Sequence, residues 1–192
     1  MGDHVSFIRQ DLRPAVMSAV DPDALNPRAR ALIFLPDLVT EFIETAFSEP
    51  IAVTCLSQKQ ATDIDDPGLD HQPGDPVIVR DSLIYGAETG RRFIHASVHL
   101  VEDRVPAGLI SDLLETERGL GRLLSEHEVH HEREMLWFGV LSREDTGPGV
   151  LEALDADALA VRCYRLVSEG QPFSTIIERF PLELFGRTVT DR

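Results

Sequence analysis

The sequence predicts an α+β fold, an antiparallel β-sheet with helices packed against it. Two features point there. The β-rich runs cluster as hairpins joined by turn residues, and the helical segments are grouped between them instead of alternating singly with strands, which argues against a βαβ repeat. A third, the length of 192 residues, suits one ordinary core, so residues 1–192 are expected to form one domain.

Residues 1–30 carry Pro14, Pro22 and Pro27 among short apolar patches and are expected to form an N-terminal arm with one or two helical turns. From Asp37, an expected N-cap after Pro36, the apolar residues Leu38, Val39, Phe42, Ile43, Ala46 and Phe47 recur at helical spacing. Ser48, Glu49 and Pro50 stop that helix, and residues 51–56 follow as a β-rich run. Residues 61–75 are acidic, are punctuated by two Pro-Gly pairs and predict a loop.

Residues 77–85 and 92–101 predict a hairpin, its turn supplied by residues 86–90. Residues 107–117 and 120–126 have helical character and are separated at Gly119 and Gly121. Three further strands are expected at 129–141, 159–167 and 173–180, with residues 142–157 a loop containing at most a short helix.

The formal net charge of -15 opposes non-specific attraction to nucleic acid or an anionic membrane. Neither is an expected partner. Because the long-range field repels anions, an anionic ligand would have to be met by specific internal cations, and Lys59 is the only lysine among 18 basic residues. Arginine must therefore supply them. No apolar run approaches the roughly 18 to 20 residues of a membrane span, and no leader-like segment opens the chain, so a cytoplasmic protein is expected. Cys55 and Cys163 lie in apolar surroundings and are expected to be buried, reduced thiols.

The most informative feature is charge on strand faces that otherwise look buried. Side chains alternate along a strand, so Arg80 shares a face with Ile78, Ser82 and Ile84, and Glu178 with Ser174, Ile176 and Phe180. Such charges are costly unless paired or used. An Arg80–Glu178 ion pair is one expectation. By the same alternation Arg133 lies with His131, Met135 and Trp137, and Arg162 with Ala160, Tyr164 and Leu166, while Arg165 is on the opposite face. Guanidinium forks projecting into one interior suit a di-acid, although any of them can serve a structural pair.

The run containing His127, His130 and His131 does not have the spacing of a metal site, because neighbours on a strand point to opposite faces. No metal is expected. His95 and His99 share a face with Ser97 and are expected to be structural. No phosphate loop, nucleophile elbow or cofactor motif is present, so no cofactor is expected.

The order of Val79-Arg80-Asp81-Ser82-Leu83, Gly119-Leu120-Gly121-Arg122-Leu123-Leu124, His131-Glu132-Arg133-Glu134, Arg162-Cys163-Tyr164-Arg165 and Ile177-Glu178-Arg179-Phe180-Pro181 resembles the chorismate pyruvate-lyase family. The resemblance runs from about Leu35 to the C-terminus. It implies an internal ligand pocket, a small anionic cyclic substrate, and cofactor-independent conversion of chorismate to 4-hydroxybenzoate and pyruvate. It also implies roles: Arg80 falls on the arginine that binds the ring carboxylate, Leu120 on the leucine whose backbone lines the pocket, and Glu178 on the late glutamate near the ring hydroxyl. Arg133 and Arg162 fall on further arginines of the pattern.

Two departures stand against a simple transfer. The segment Phe34-Leu35-Pro36-Asp37-Leu38 lacks the Asp-Gly-Ser/Thr start of bacterial relatives, and the loop at 142–157 is long and acidic. Alternatives therefore stay open: a natural-product enzyme of the same fold acting on another cyclic or polyketide-like compound, or a non-catalytic module similar to the UTRA ligand-binding domains of transcription regulators. Against the last, no helix-turn-helix pattern accompanies the acidic chain.

Overall fold

A computed structural model of the chain describes residues 8–19, 21, 25, 27–34 and 39–185. The expected N-cap at Asp37, with Pro36 and most of the 34–38 departure, lies outside them. Strands β1 (Ile51–Ala61), β2 (Val77–Gly86), β3 (Arg92–Val101), β4 (Glu132–Ser142), β5 (Ala158–Ser168) and β6 (Gln171–Pro181) build one antiparallel sheet in the order β1-β2-β3-β6-β5-β4. Two three-stranded meanders thus meet where β3 pairs with β6. The last hairpin turns on Glu169 and Gly170, whose φ values of 52° and 77° are those a two-residue turn requires.

Helices α1 (Pro27–Phe34), α2 (Val39–Phe47), α3 (Ala107–Glu115) and α4 (Leu120–Glu126) lie on one face of the sheet. Their apolar stripes enter two clusters. Leu32 and Ile33 of α1 and Ile43 of α2 pack on Ile84, Ile94, Phe138 and Phe180. Leu109 and Leu113 of α3 and Leu123 of α4 pack on Ile78, Leu100, Leu166 and Ile176. The opposite face is covered by α5 (Pro148–Leu154), by residues 8–18 and by the acidic 62–76 loop. Each fully buried Leu or Ile contributes about 1.5–3 kcal/mol.

Several boundaries differ from expectation. β1 runs on to Ala61 instead of stopping near residue 56, because an edge strand with one solvated side tolerates the polar run Ser57–Gln60. β4 begins at Glu132 instead of 129, since the left-handed Glu128 (φ 53°) forces a turn after α4. The 142–157 segment holds α5, which starts on Pro148 at its first position and ends at the left-handed Asp155. Cys163 is buried as expected, but Cys55 is only half-buried because it stands on the edge strand; its thiol donates to the Ser57 carbonyl at 3.5 Å.

The N-terminal arm holds a short 3₁₀ turn, Gln10–Leu12, and α1. Its early part seals the β4 edge. The amides of Ile8 and Arg9 donate to the carbonyls of Met135 and Leu136, and Ser18 bridges to Val140 in both directions. Gly139 allows this approach, because a Cβ there would lie 2.9 Å from Arg13 Cδ, 3.2 Å from Met17 Cβ and 3.3 Å from the Ser18 carbonyl oxygen. Gly139→Val should therefore push residues 8–18 off the edge at a cost of about 1–3 kcal/mol. Hydrogen exchange read by mass spectrometry should then quicken at Ser18 and Val140, and unchanged protection there would refute the account.

Candidate functional site

Between the two apolar clusters of the helical face, the sheet presents a row of polar side chains. Cross-strand register defines it: Ser82, Ala96, Glu178, Arg162 and Phe138 stand opposite one another on one rung, and Arg80, Val98, Ile176, Tyr164 and Met135 on the next. A cavity of about 910 Å³ opens over these rungs, walled by α2, by residues 117–125 and by β1 to β6. Arg80, Leu120, Arg133, Tyr164 and Glu178 all line it. That volume lies in the range typical of small-molecule pockets.

Glu178 pairs with Arg162, not Arg80. Arg162 Nε donates to Glu178 Oε2 at 2.6 Å, and the Tyr164 hydroxyl donates to Oε1 at 3.0 Å. The expected Arg80–Glu178 ion pair is absent because β3 lies between β2 and β6, so the two residues are separated by two strand spacings of nearly 5 Å each. Arg162, by contrast, is directly opposite Glu178. Its NH1 also donates to the carbonyls of Leu32 at 2.5 Å and Ile33 at 3.3 Å, at the C-terminus of α1.

The pairing leaves Glu178 able to accept more. A carboxylate has about four acceptor positions, and the two described donors leave room for a ligand hydroxyl on the cavity side. Tyr164 is the site residue that sequence reasoning does not single out, although it shares the face of Arg162. Burial above all, and then the adjacent Glu178, push its phenol well above the ordinary range, so it stays a neutral donor. The Arg133 guanidinium lies 4.2 Å from the Tyr164 ring centroid, and Arg162 lies 5.4 Å from it.

Arg80 is buried, with its fork turned toward protein acceptors. NH1 donates to Gln58 Oε1 at 2.8 Å and to the Leu113 and Thr116 carbonyls at 2.5 and 3.3 Å; NH2 donates to the Thr116 and Arg118 carbonyls at 3.3 and 3.2 Å. Leu120 opens α4 and is 7% exposed, its face toward the cavity. One alternation fails. A bulge between Met135 and Trp137 sends Trp137 to the opposite face, among Leu136, Val161 and Cys163, so it does not accompany Arg133.

The histidine run disperses. His127 pairs with Asp112 at 2.8 Å, and His131 bonds the Val129 carbonyl at 2.9 Å and meets Phe173 edge-on. Among the described residues no group of three or more His, Cys, Asp or Glu is placed to hold a metal ion. His95 and His99 lie on the face away from the cavity. His99 Nδ1 is 2.6 Å from Asp66 Oδ2. Burial alone would raise the Asp66 carboxyl, but hydrogen bonds from His99, Thr175 and the Gly68 amide outweigh it and hold the group below the usual range.

No known family's sequence profile matches the chain. A chorismate pyruvate-lyase of Mycobacterium leprae is 26% identical over 168 residues, which are 85% of this chain and 79% of that protein. A chorismate pyruvate-lyase of Mycobacterium tuberculosis is 30% identical over 116 residues, 57% of this chain and about half (55%) of that protein. Among solved structures, a GntR-family transcriptional regulator of Bacillus cereus superposes with a TM-score of 0.56 at 12% identity, over 74% of this chain and 99% of that one. The C-terminal domain of the histidine utilization repressor of Pseudomonas syringae gives 0.55 at 15%, over 74% and 98%. These structural likenesses show the α+β fold. Among the described residues no helix is long and apolar enough to cross a membrane.

His95 supplies a test of the polar face opposite the cavity. Burial first, and then the Arg179 guanidinium, lower its imidazole from 6.5 to about 4, against an opposing pull from Asp81. The fold thus holds the neutral ring, and below about pH 6.5 the unfolded chain binds the extra proton. The stability this contributes is complete above about 6.5 and is lost as pH falls toward 4. His95→Gln should flatten the dependence of urea-unfolding free energy on pH in that window, by up to about 1.4 kcal/mol per pH unit. Parallel curves for variant and parent would show that His95 is not the group responsible.

Proposed function

We propose that the chain is a cofactor-independent carbon–oxygen lyase that converts chorismate to 4-hydroxybenzoate and pyruvate. The observation that carries this reading is the polar row on adjacent rungs of the sheet: Arg80, Arg133, Tyr164 and Glu178 line the cavity beside the apolar Ile84, Val98, Leu166 and Ile176. The names of the mycobacterial relatives supply the substrate. An acidic protein that repels anions at long range suits such a ligand only through fixed internal cations of this kind.

The chemistry asks little beyond positioning. The bond from ring carbon 3 to the enolpyruvyl oxygen breaks, the proton on carbon 4 departs, and the ring becomes aromatic; the enolpyruvate released takes up a proton to become pyruvate. Aromatisation supplies the driving force, with no change of oxidation state that a redox group would have to provide. The protein's share is to hold both carboxylates with arginines, Arg80 and Arg133 in the cavity wall and the buried Arg162 behind Glu178 being the candidates, and to orient the ring by its hydroxyl on Glu178. The Leu120 backbone closes the pocket beside the ring.

A second reading keeps the cavity and removes the turnover. It is favoured by the superposition on regulator domains, and on it the same row binds a cyclic acid without changing it. Purified protein incubated with chorismate and followed by chromatography separates the two. On the lyase reading 4-hydroxybenzoate and pyruvate accumulate in equal amounts, and Glu178→Gln lowers turnover by about a hundredfold or more. Binding of 4-hydroxybenzoate should change far less. Tight binding by the parent with no product would favour the binding module, and undiminished turnover in the variant would remove Glu178 from the reaction.

A further inference from the structure

Arg80, Arg118, Arg122 and Arg133 line the cavity, and they differ in how far their donors are already committed. A guanidinium has five N–H groups, and a carboxylate binds best across two parallel ones. Arg80 directs Nε to Ser82 and its terminal nitrogens to Gln58 and the carbonyls of Leu113, Thr116 and Arg118. Arg118 directs Nε to the Thr116 hydroxyl at 3.3 Å, NH1 to Glu126 at 2.5 Å and NH2 to Asp112 at 3.0 Å. A ligand carboxylate would have to displace these acceptors, each of which would lose its donor. Arg133 belongs to the floor, on β4, over the Tyr164 ring.

Arg122 is placed differently. It lies in the first turn of α4, two residues after Leu120, and stands at the rim of the cavity with its side chain 73% exposed. Its Nε donates to Glu126 Oε1 at 2.8 Å, one helical turn on. Among the described residues no acceptor stands against its NH1 or NH2. Glu126 is held in turn by Arg118, and Arg118 by Asp112 and Thr116. This ladder fixes the Nε side of the Arg122 fork and leaves the NH1–NH2 edge, with two parallel N–H groups, uncommitted. Nearby carboxylates are answered elsewhere: Glu44 accepts from the Ile51 amide, Glu117 from the Thr54 hydroxyl, and Glu178 from Arg162 and Tyr164, while Glu41 is on α2 with Glu44.

Resting on the reading of a cyclic acid whose ring hydroxyl meets Glu178, we propose that Arg122 is a specificity-determining residue that receives the carboxylate of the side arm on ring carbon 3. The sheet is the floor of the cavity and α4 is part of its wall. A ring held by its hydroxyl on the floor therefore sends an arm attached beside that hydroxyl toward the rim. A flexible arm that ends in an acid near solvent gains most from an arginine that gives up no protein partner in meeting it. The planar fork also sets the orientation of the carboxylate, which a lysine ammonium would not.

The experiment uses two non-reacting probes that differ only by the carboxylate of that arm, 3-(carboxymethoxy)-4-hydroxybenzoate and 3-methoxy-4-hydroxybenzoate. Calorimetry on the full chain reads both affinities at one low ionic strength, because contacts at the rim are screened by salt. The parent should prefer the arm acid by about tenfold. Arg122→Met should abolish that preference and bind the methoxy compound as the parent does. Arg122→Lys, which keeps the charge without the fork, should retain only part of it. An exposed i,i+4 ion pair contributes little to stability, so both variants should fold and give the parent's near-ultraviolet dichroism.

An unchanged preference in Arg122→Met overturns the proposal, and so does a full preference in Arg122→Lys, which would show an effect of charge without the fork. Equal binding of the two probes by the parent also overturns it and leaves the cyclic-acid reading standing. A parent that binds neither probe defeats that reading and the proposal with it.

Discussion

Three helices are docked to this sheet by the same kind of contact, a strand arginine that takes the carbonyls at a helix C-terminus. Arg162 on β5 holds the Leu32 and Ile33 carbonyls of α1, Arg80 on β2 holds those of Leu113 and Thr116 at the end of α3, and Arg92 on β3 holds those of Glu152 and Ala153 in α5. The arrangement answers two needs together. A guanidinium placed among apolar side chains must be given acceptors, and a helix that ends against a sheet must find donors for its last carbonyls. A planar fork with five donors serves several carbonyls at once, which an ammonium group does less well. A chain with one lysine among 18 basic residues is built to make this contact repeatedly.

The cavity follows from the same constraint. Because Arg162 and Arg80 occupy the centre of the helical face, α1 with α2 and α3 with α4 pack around them as two separate apolar clusters and do not merge into one. The space between the clusters is floored by charged and hydroxyl-bearing side chains. Breaking one partner of the Arg162–Glu178 pair would leave a buried charge unmatched, a loss of about 3–5 kcal/mol. The polar floor is thereby coupled to the packing of α1, and a substitution meant to probe ligand contacts at Arg162 also probes the fold.

The two faces divide their polar groups differently. On the helical face, charge is concentrated at the cavity. On the other, Asp66 accepts from Thr175 and the Gly68 amide and meets His99 in one set of hydrogen bonds, and Asp81, Ser57, Ser97, His95 and Arg179 form a second. The neutral state of His95 is a consequence of its burial beside Arg179.

The sequence by itself determined the α+β class, the strand and helix content and the faces carrying Arg80, Arg162 and Glu178, because alternation and helical periodicity are local properties of the chain. It did not determine which charges meet. From the two-residue turn at Glu169 and Gly170, an unbroken hairpin would set Arg162 opposite Ile177; the bulge near Val167 shifts the register by one residue and brings Arg162 opposite Glu178. A second bulge, at Leu136, sends Trp137 away from Arg133. Strand order separated Arg80 from Glu178, and the return of α3 over β2 converted Arg80 from an open cation into a helix cap. Register, strand order and helix docking depend on contacts between residues distant in the chain, so the tertiary structure alone decided them.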